Sequence, residues 1–539
     1  MTKTPRRPLR RAVFGMAAGL SLAATCLTAL SLVPQTASAE ELTWASPTDP
    51  QTMDPHALSS AAVLGFLNNV YEGLVRRDQN MAIEPALATR WEPLGPDGWR
   101  FHLREGVRFH DGAELTAEDV LFSYERAISE QSDVQSWFSS IEAVNIVDDY
   151  TIDFLTNAPN PIFPDSIANF MIMDKDWAEK HDATRPARDT QTFATLMTNG
   201  TGPFKVTSRE PGVQTVLEPF DGWWDAATHN LTKATFIPVS NPATSVAALM
   251  SGQVDMINPV PVQDISRVAG NPELSLHQGI EARVIMLGFG HDHDTLRFSA
   301  ETEGKNPFQD VRVRKAVQKA IDADAIVDKI MRGNAEVASQ LVSPQMKGYS
   351  EKASERDAFD PEAAKALLAE AGYPEGFSFG LACPNDRYIN DEAICKAVAA
   401  MLAKAGLRAE LTAMPVRSYW PEMREGNFDM YLLGWSPGTF DAEHPLRFLV
   451  ATPDADKKLG SWNFGGYSDE KIDELLPKIQ SEIDPAARQA MLDETAAKVK
   501  QDVVYVPLHI QPLLWGARSN ISLTQRADNF VILRWINVN

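Results

Sequence analysis

The stretch DEAICKAVAAMLAKAGLRAELTAM (391–414) constrains the chain most: it reads as a helix, a stop at Gly406 and then a strand. The same punctuation recurs. TSVAALMSGQVDMI (244–257) reads as a short helix stopped near Gly252 with a strand after it, and DPEAAKALLAEAGY (360–373) as a helix ended by Gly372. ELTWAS (41–46) reads as an opening strand. TAEDVLFSYERAI (116–128) places Thr116 at the N-cap and Asp119 three residues on, with Val120, Leu121, Tyr124 and Ile128 on one face. DVRVRKAVQKAIDADAIVDKIM (310–331) reads as a long amphipathic helix or a helix pair. Strands alternating with helices at these spacings predict α/β domains with crossover connections, and such scaffolds place ligands at strand ends or between lobes.

The chain has 539 residues, too many for one hydrophobic core, so more than one domain is expected. Arg6, Arg7, Arg10 and Arg11 precede an apolar run from about Ala12 to Val33, and Ala37-Ser38-Ala39 gives small residues at a cleavage site. Residues 1–39 therefore read as a secretory signal peptide cut after Ala39. The paired arginines match twin-arginine export poorly, and Cys26 is a poor fit to a lipid-attachment site. Without residues 1–39, Lys and Arg number 45 against 72 Asp and Glu, a net charge of −27. So acidic a surface argues against nucleic acid and anionic lipid as partners. Cys383 and Cys395 are the remaining cysteines. In an oxidising compartment they are candidates for a disulfide, the alternative being two buried thiols.

Signatures of catalysis are missing: the chain has no GxSxG, HExxH, GxxxxGK[ST] or GxGxxG. The expectation is a binding protein rather than an enzyme, without a cofactor. GHDHD (290–294) offers His291 and His293 to a metal, but reads better as a polar loop after a strand. RFHDG (108–112), with His110, reads as a turn closed by Gly112.

Residues 84–127, EPALATRWEPLGPDGWRFHLREGVRFHDGAELTAEDVLFSYERA, strongly resemble the extracytoplasmic solute-binding proteins of family 5, the peptide-, nickel- and opine-type receptors of ABC importers. Further blocks carry the same resemblance: NGTGPFKV (199–206), LMSGQVDMI (249–257), NPFQDVRVRKAVQKAID (306–322), AKALLAEAGYPEGF (364–377) and NFGGYSDEKIDELL (463–476). The resemblance implies an α/β, two-lobed periplasmic-binding-protein (venus-flytrap) fold with an extra third domain and a hinge-closing cleft. It implies lobe I from 40–82, 201–286 and 511–539, an extra domain II at 83–200, and lobe III at 287–510. It also implies a periplasmic monomer that captures a small peptide-like ligand and delivers it to permease subunits served by cytoplasmic ATPases. The alternatives on the same fold are receptors for nickel or another metal chelate, for an opine or for a sugar.

Site residues follow from the same comparison. In peptide receptors of the family a Gly-Trp turn in lobe III contacts ligand, and an aspartate three residues on pairs with the peptide ammonium. Gly434-Trp435 match that turn, whereas Gly438 stands where the acid is expected, which disfavours a free peptide N-terminus as ligand. Trp435 is a candidate for cleft wall or core, with Ser436 beside it. Asp441 is a candidate acid for a cationic ligand group, or a cap of the next segment. Arg387, in CPNDRYIND (383–391), is placed to meet a ligand carboxylate bidentately or to pair with Asp386 or Asp391. Tyr388 stands beside it. Ser59 and Ser60 match a lobe I segment whose backbone pairs with extended peptides. Tyr419 and Trp420 either line the cleft or pack a helix start.

Overall fold

The computed structural model describes residues 40–95, 97–188 and 190–539; the leader read at 1–39 lies outside them. The chain opens with β1 (Glu41–Ser46) and α1 (Ala61–Leu67), then a short antiparallel ribbon of β2 (Val75–Arg77) and β3 (Ile83–Pro85). β4 (Ala88–Pro93), β5 (Gly98–Leu103), β6 (Ile141–Asp148) and β7 (Thr151–Thr156) make a separate antiparallel sheet of order β4-β5-β7-β6. Between β5 and β6 runs α2 (Ala117–Ala127), begun by Thr116, whose N–H donates to the Asp119 carboxylate at 2.9 Å. The short helix α3 (Phe163–Ser166) buries Phe163 against Phe101 and Phe154. Each such buried ring contributes about 1.5–3 kcal/mol relative to exposure.

β8 (Phe204–Glu210), β9 (Gln214–Pro219) and β10 (Lys233–Pro238) return to the large sheet. α4 (Pro242–Ser251) is stopped by Gly252 at φ 76° and leads into β11 (Met256–Ile257). β12 (Leu274–Phe289) is followed by α5 (Val311–Ala320), which ends at Ile321. Asp322 then accepts the Ala325 N–H and starts a new helical turn, so the amphipathic stretch 310–331 is broken rather than continuous. β13 (Glu336–Val337), α6 (Pro361–Glu370), β14 (Phe377–Pro384), α7 (Asp391–Lys404), β15 (Leu407–Met414), α8 (Val416–Arg424) and β16 (Met430–Trp435) come next. α9 (Pro485–Asp502) precedes the last long strand, β17 (Tyr505–Arg518).

The large sheet has the order β15-β14-β16-β12-β17-β11-β1-β10-β9-β8, with β13 also on β17. Two strands carry it from one half to the other. β12 and β17 pair from Leu274↔Arg518 to Ile280↔Pro512, lose register over Glu281–Arg283 opposite Gln511, and pair again from Val284↔Ile510. On one side of this break, β1 is parallel to β10 and β11. On the other, β14 is parallel to both β15 and β16. β14 and β16 are almost wholly buried apolar runs, as parallel strands covered on both faces must be. Separate apolar cores sit in the four-stranded sheet region, around β1 and α1, and on the two faces of the β14–β16 half.

Candidate functional site

Parallel strands send their following loops out at one edge. After β14, β15 and β16 come residues 385–390, 415–420 and 436–441, so Arg387, Trp420 and Trp435 leave the sheet together. The carboxyl ends of β1 and β11 lead to residues 47–60 and 258–264 in the other half. Contacts join the two edges: Gln263 Nε2 lies 3.0 Å from Asn390 Oδ1, and Ile389 N–H donates to Gln511 Oε1 at 3.2 Å. The space between these two edges, over the register break of β12 and β17, is the candidate recess, with the break as its floor.

That floor is polar. Arg283 Nε donates to Glu281 Oε1 at 2.8 Å, and Gln511 Nε2 donates to Glu281 Oε2 at 2.5 Å. Glu281 is fully buried. None of these three residues was read from the sequence. Their signal is the three-against-one bulge, which exists only once two strands far apart in the chain have paired.

Arg387 stands exposed to solvent above the floor. Its backbone N–H and that of Tyr388 both donate to Asp391 Oδ2, at 2.9 and 3.0 Å, which fixes the turn. Its guanidinium lies 5.3 Å from the Tyr388 ring. Among the described residues it has no carboxylate within salt-bridge distance and no hydrogen-bond acceptor, so neither Asp386 nor Asp391 neutralises it. Partial desolvation by neighbouring atoms, and then the nearby Arg283 charge, hold its pKa below the ordinary arginine value. A disulfide between Cys383 and Cys395 ties the end of β14 to α7 and closes the segment that carries Arg387.

Tyr388 is buried, with its hydroxyl donating to the Gly434 carbonyl at 3.3 Å. A Cβ at Gly434 would come within 2.6 Å of the Tyr388 ring and 2.7 Å of Ile285, so glycine is what lets the two loops interlock. Trp435 is half-buried, and its indole N–H donates to His444 Nδ1 at 3.2 Å. Burial and then Arg447 push that histidine down to about 3, so it is neutral and able to accept. Trp435 meets Phe448 and Trp462 at 6.0 and 5.5 Å, and Trp462 meets Trp420 at 5.2 Å. The result is a row of half-buried aromatic rings beginning at the recess. Ser436 is half-exposed beside it, with no hydrogen bond from its side chain among the described residues. Tyr419 is core: it is buried and bonds the Leu432 carbonyl at 2.7 Å.

Ser59 and Ser60 lie at the start of α1. Ser59 directs both its hydroxyl and its N–H to Asp133, at 2.8 and 2.9 Å. Ser60 caps α1, and its carbonyl accepts the Leu64 N–H. This leaves the Ser59 carbonyl and the Ser60 N–H for any strand-like pairing.

Asp441 is a correction. It is fully buried, and both carboxylate oxygens accept from Arg488, at 2.8 and 2.9 Å. One of them also takes the Glu443 N–H. The carboxylate is thus committed to Arg488 and presents nothing to a cationic ligand. The histidine loop, which the sequence reads as a polar loop rather than a metal site, lies away from the recess. His291 follows β12 at the end that pairs with Met430, the start of β16, and so lies at the edge opposite Trp435. It is half-exposed, its Nε2 is 3.2 Å from the Val504 carbonyl, and burial lowers its pKa to about 3. His293 is buried, and its pKa is lowered by burial. His110 lies 3.0 Å from the Gly202 carbonyl and is lowered by burial to about 4. No group of three or more metal-ligating side chains occurs among the described residues.

Residues 82–457 match the family described as bacterial extracellular solute-binding proteins, family 5. The dipeptide-binding protein of Escherichia coli K12 is 27% identical over 477 residues, 82% of this chain and 85% of that protein. A periplasmic binding protein associated with an ABC transporter, DppA from Helicobacter pylori in complex with the peptide STSA, superposes with a TM-score of 0.78. It is 24% identical and covers 92% of this chain and 97% of its own. AgaA from A. tumefaciens R10, in complex with agropinic acid, has a TM-score of 0.77 at 23% identity over 93% of this chain and 99% of its own.

Proposed function

Because the chain belongs to the bacterial extracellular solute-binding proteins of family 5, we propose that it is the receptor of an ABC importer for a peptide or peptide-like solute bearing a carboxylate. The observation that carries this reading is the Arg387 guanidinium, held over the recess with no carboxylate at salt-bridge distance among the described residues. A planar, bidentate donor set of this kind matches a carboxylate. Neither expected position offers an acid to a ligand ammonium: position 438 is glycine, and Asp441 belongs to Arg488. Trp435, Ser436 and the aromatic row give the ligand an apolar wall, while the Ser59 carbonyl and Ser60 N–H give it backbone partners.

The chain breaks and makes no bonds. Its work is a two-state equilibrium in which ligand binds the closed form better and a permease with cytoplasmic ATPases reads closure. Lobe I (40–82, 201–286, 511–539), domain II (83–200) and lobe III (287–510) are the moving parts, and β12 with β17 is the hinge. Export by a leader cleaved after Ala39 places a monomer in the periplasm.

Native mass spectrometry of the mature chain purified without added ligand tests this. A retained carboxylate-bearing adduct is expected, and Arg387→Ala should weaken it at least tenfold, about 1.4 kcal/mol. Retention unchanged by that substitution removes Arg387 from the site.

A further inference from the structure

The loop after Trp435 is clamped from both sides of the recess. On its own side, Lys347 N–H donates to the Phe440 carbonyl at 3.2 Å, Ala442 N–H donates to the Lys347 carbonyl at 2.9 Å, and Asp441 is held by Arg488. From the opposite side comes Arg77, the last residue of β2. Its Nη2 donates to the Thr439 carbonyl at 2.8 Å and to the Asp165 carbonyl at 3.2 Å, and its guanidinium lies 5.5 Å from the Phe440 ring. Asp165, on α3, receives Lys347 Nζ on both carboxylate oxygens, at 2.8 and 3.0 Å. Arg447 adds a second crossing, with Nη2 donating to Ser139 Oγ at 2.8 Å.

These partners belong to different cores. Phe163, two residues before Asp165, packs with the four-stranded sheet; Met346 and Phe440 pack on the β16 face. Phe440 itself sits at φ 58°, a left-handed conformation that bulky side chains avoid, so the loop keeps its shape only because its surroundings hold it. Two of those surroundings, Arg77 and Asp165, are not on its lobe. Gly438, Thr439 and Phe440 also separate Trp435 and Ser436 from the anchored Asp441, so whatever grips Thr439 and Phe440 sets the position of the aromatic wall.

We propose that Asp165, Arg77 and Lys347 form an interlobe latch that positions the Trp435–Asp441 loop. The four-stranded sheet region supplies the carboxylate that catches Lys347, and the catch biases the chain toward the closed form. This gives the extra domain a task in closure, and it rests on the hinge-closing reading above. The three residues are positioning residues: the ligand site is reached through the loop, not through them.

Amide hydrogen exchange on the mature chain tests the latch with no ligand, so its result is independent of what the receptor binds. The variants are Lys347→Met, Asp165→Asn and the charge-conserving Lys347→Arg; a charge-reversed pair is unsuitable because Arg77 Nη1 also lies 3.5 Å from Asp165 Oδ1. The Lys347 side chain is 54% exposed, so its removal empties no core. Exchange over residues 436–442 is expected to quicken at least tenfold in Lys347→Met and Asp165→Asn and to stay near the wild-type rate in Lys347→Arg, with β12 and β17 unchanged throughout. Unaltered exchange in Lys347→Met and Asp165→Asn overturns the proposal. So does a Lys347→Arg variant as fast as Lys347→Met, because the effect is then local packing rather than the ion pair.

Discussion

Asp441 is a charge placed where no water reaches, and it is stable only because Arg488 meets both of its oxygens. Removing one member of a buried pair leaves the other uncompensated, at a cost of about 3–5 kcal/mol. Asp441→Ala should therefore lower the chemical-denaturation free energy by that order, and a change below about 1 kcal/mol would mean that water enters and screens the pair. The sequence shows an acid six residues after Trp435 but not its partner, 47 residues further along the chain, which is why a ligand role and a structural role looked alike. Arg387 was more legible: a strand ending at Pro384 and a helix starting at Asp391 leave it on a connecting loop at the carboxyl edge, whatever else the chain does. Its freedom from Asp386 and Asp391 was not legible. Asp391 spends both oxygens on backbone N–H groups, and Asp386 accepts the Val416 N–H at 2.7 Å; both are choices of loop geometry.

At the scale of elements, helix ends could be read because their signals are local. Thr116 and Asp360 begin helices, and Gly252 ends one in the left-handed conformation. The break after Ala320 was harder to read, because its apolar spacing continues past Asp322 while the Asp322 side chain restarts the helix. The register break of β12 and β17 was the least legible feature, since it exists only once two strands far apart in the chain have paired. The Cys383–Cys395 bridge joins β14 to α7 around the Arg387 loop. Closing so short a loop stabilises by about 3 kcal/mol in the chain-entropy model. The double replacement Cys383→Ser/Cys395→Ser should shift the denaturant midpoint down accordingly, and should leave exchange in β1 and β10 at the wild-type rate until global unfolding. Reducing agent should then destabilise the wild type and leave the double variant unmoved.

Across the whole molecule, the spaced family motifs made the two-lobed architecture legible, while the interlobe contacts were not, since Asp165 and Lys347 lie 182 residues apart. Stability should also carry a global signature of acid. Burial pushes His56, His291 and His444 down to about 3, and His110 and His509 to about 4. Free in the unfolded chain they titrate near 6.5. A depressed folded pKa means stability that is complete above the unfolded value and is lost as pH falls from about 6.5 toward 4, by up to about 1.4 kcal/mol per pH unit for each histidine. Asp174, raised by burial to about 6, acts in the opposite sense, as do Glu72, Glu443, Asp119 and Asp391, all raised by burial. The His444 share is read as a difference: between pH 7 and pH 5 the wild type should lose stability relative to His444→Gln, and a difference independent of pH in this window contradicts the burial of that ring. The central claim is that the recess reads a carboxylate through Arg387 and has no acid for an ammonium. Calorimetric titration of the mature chain with matched dipeptide panels tests it most directly, one panel N-acetylated with free carboxylates and the other C-amidated with free ammonium groups. Heat of binding from acetylated acids, lost in Arg387→Ala, with none from the amides, is the predicted result; amides that bind as tightly as the acids would contradict it.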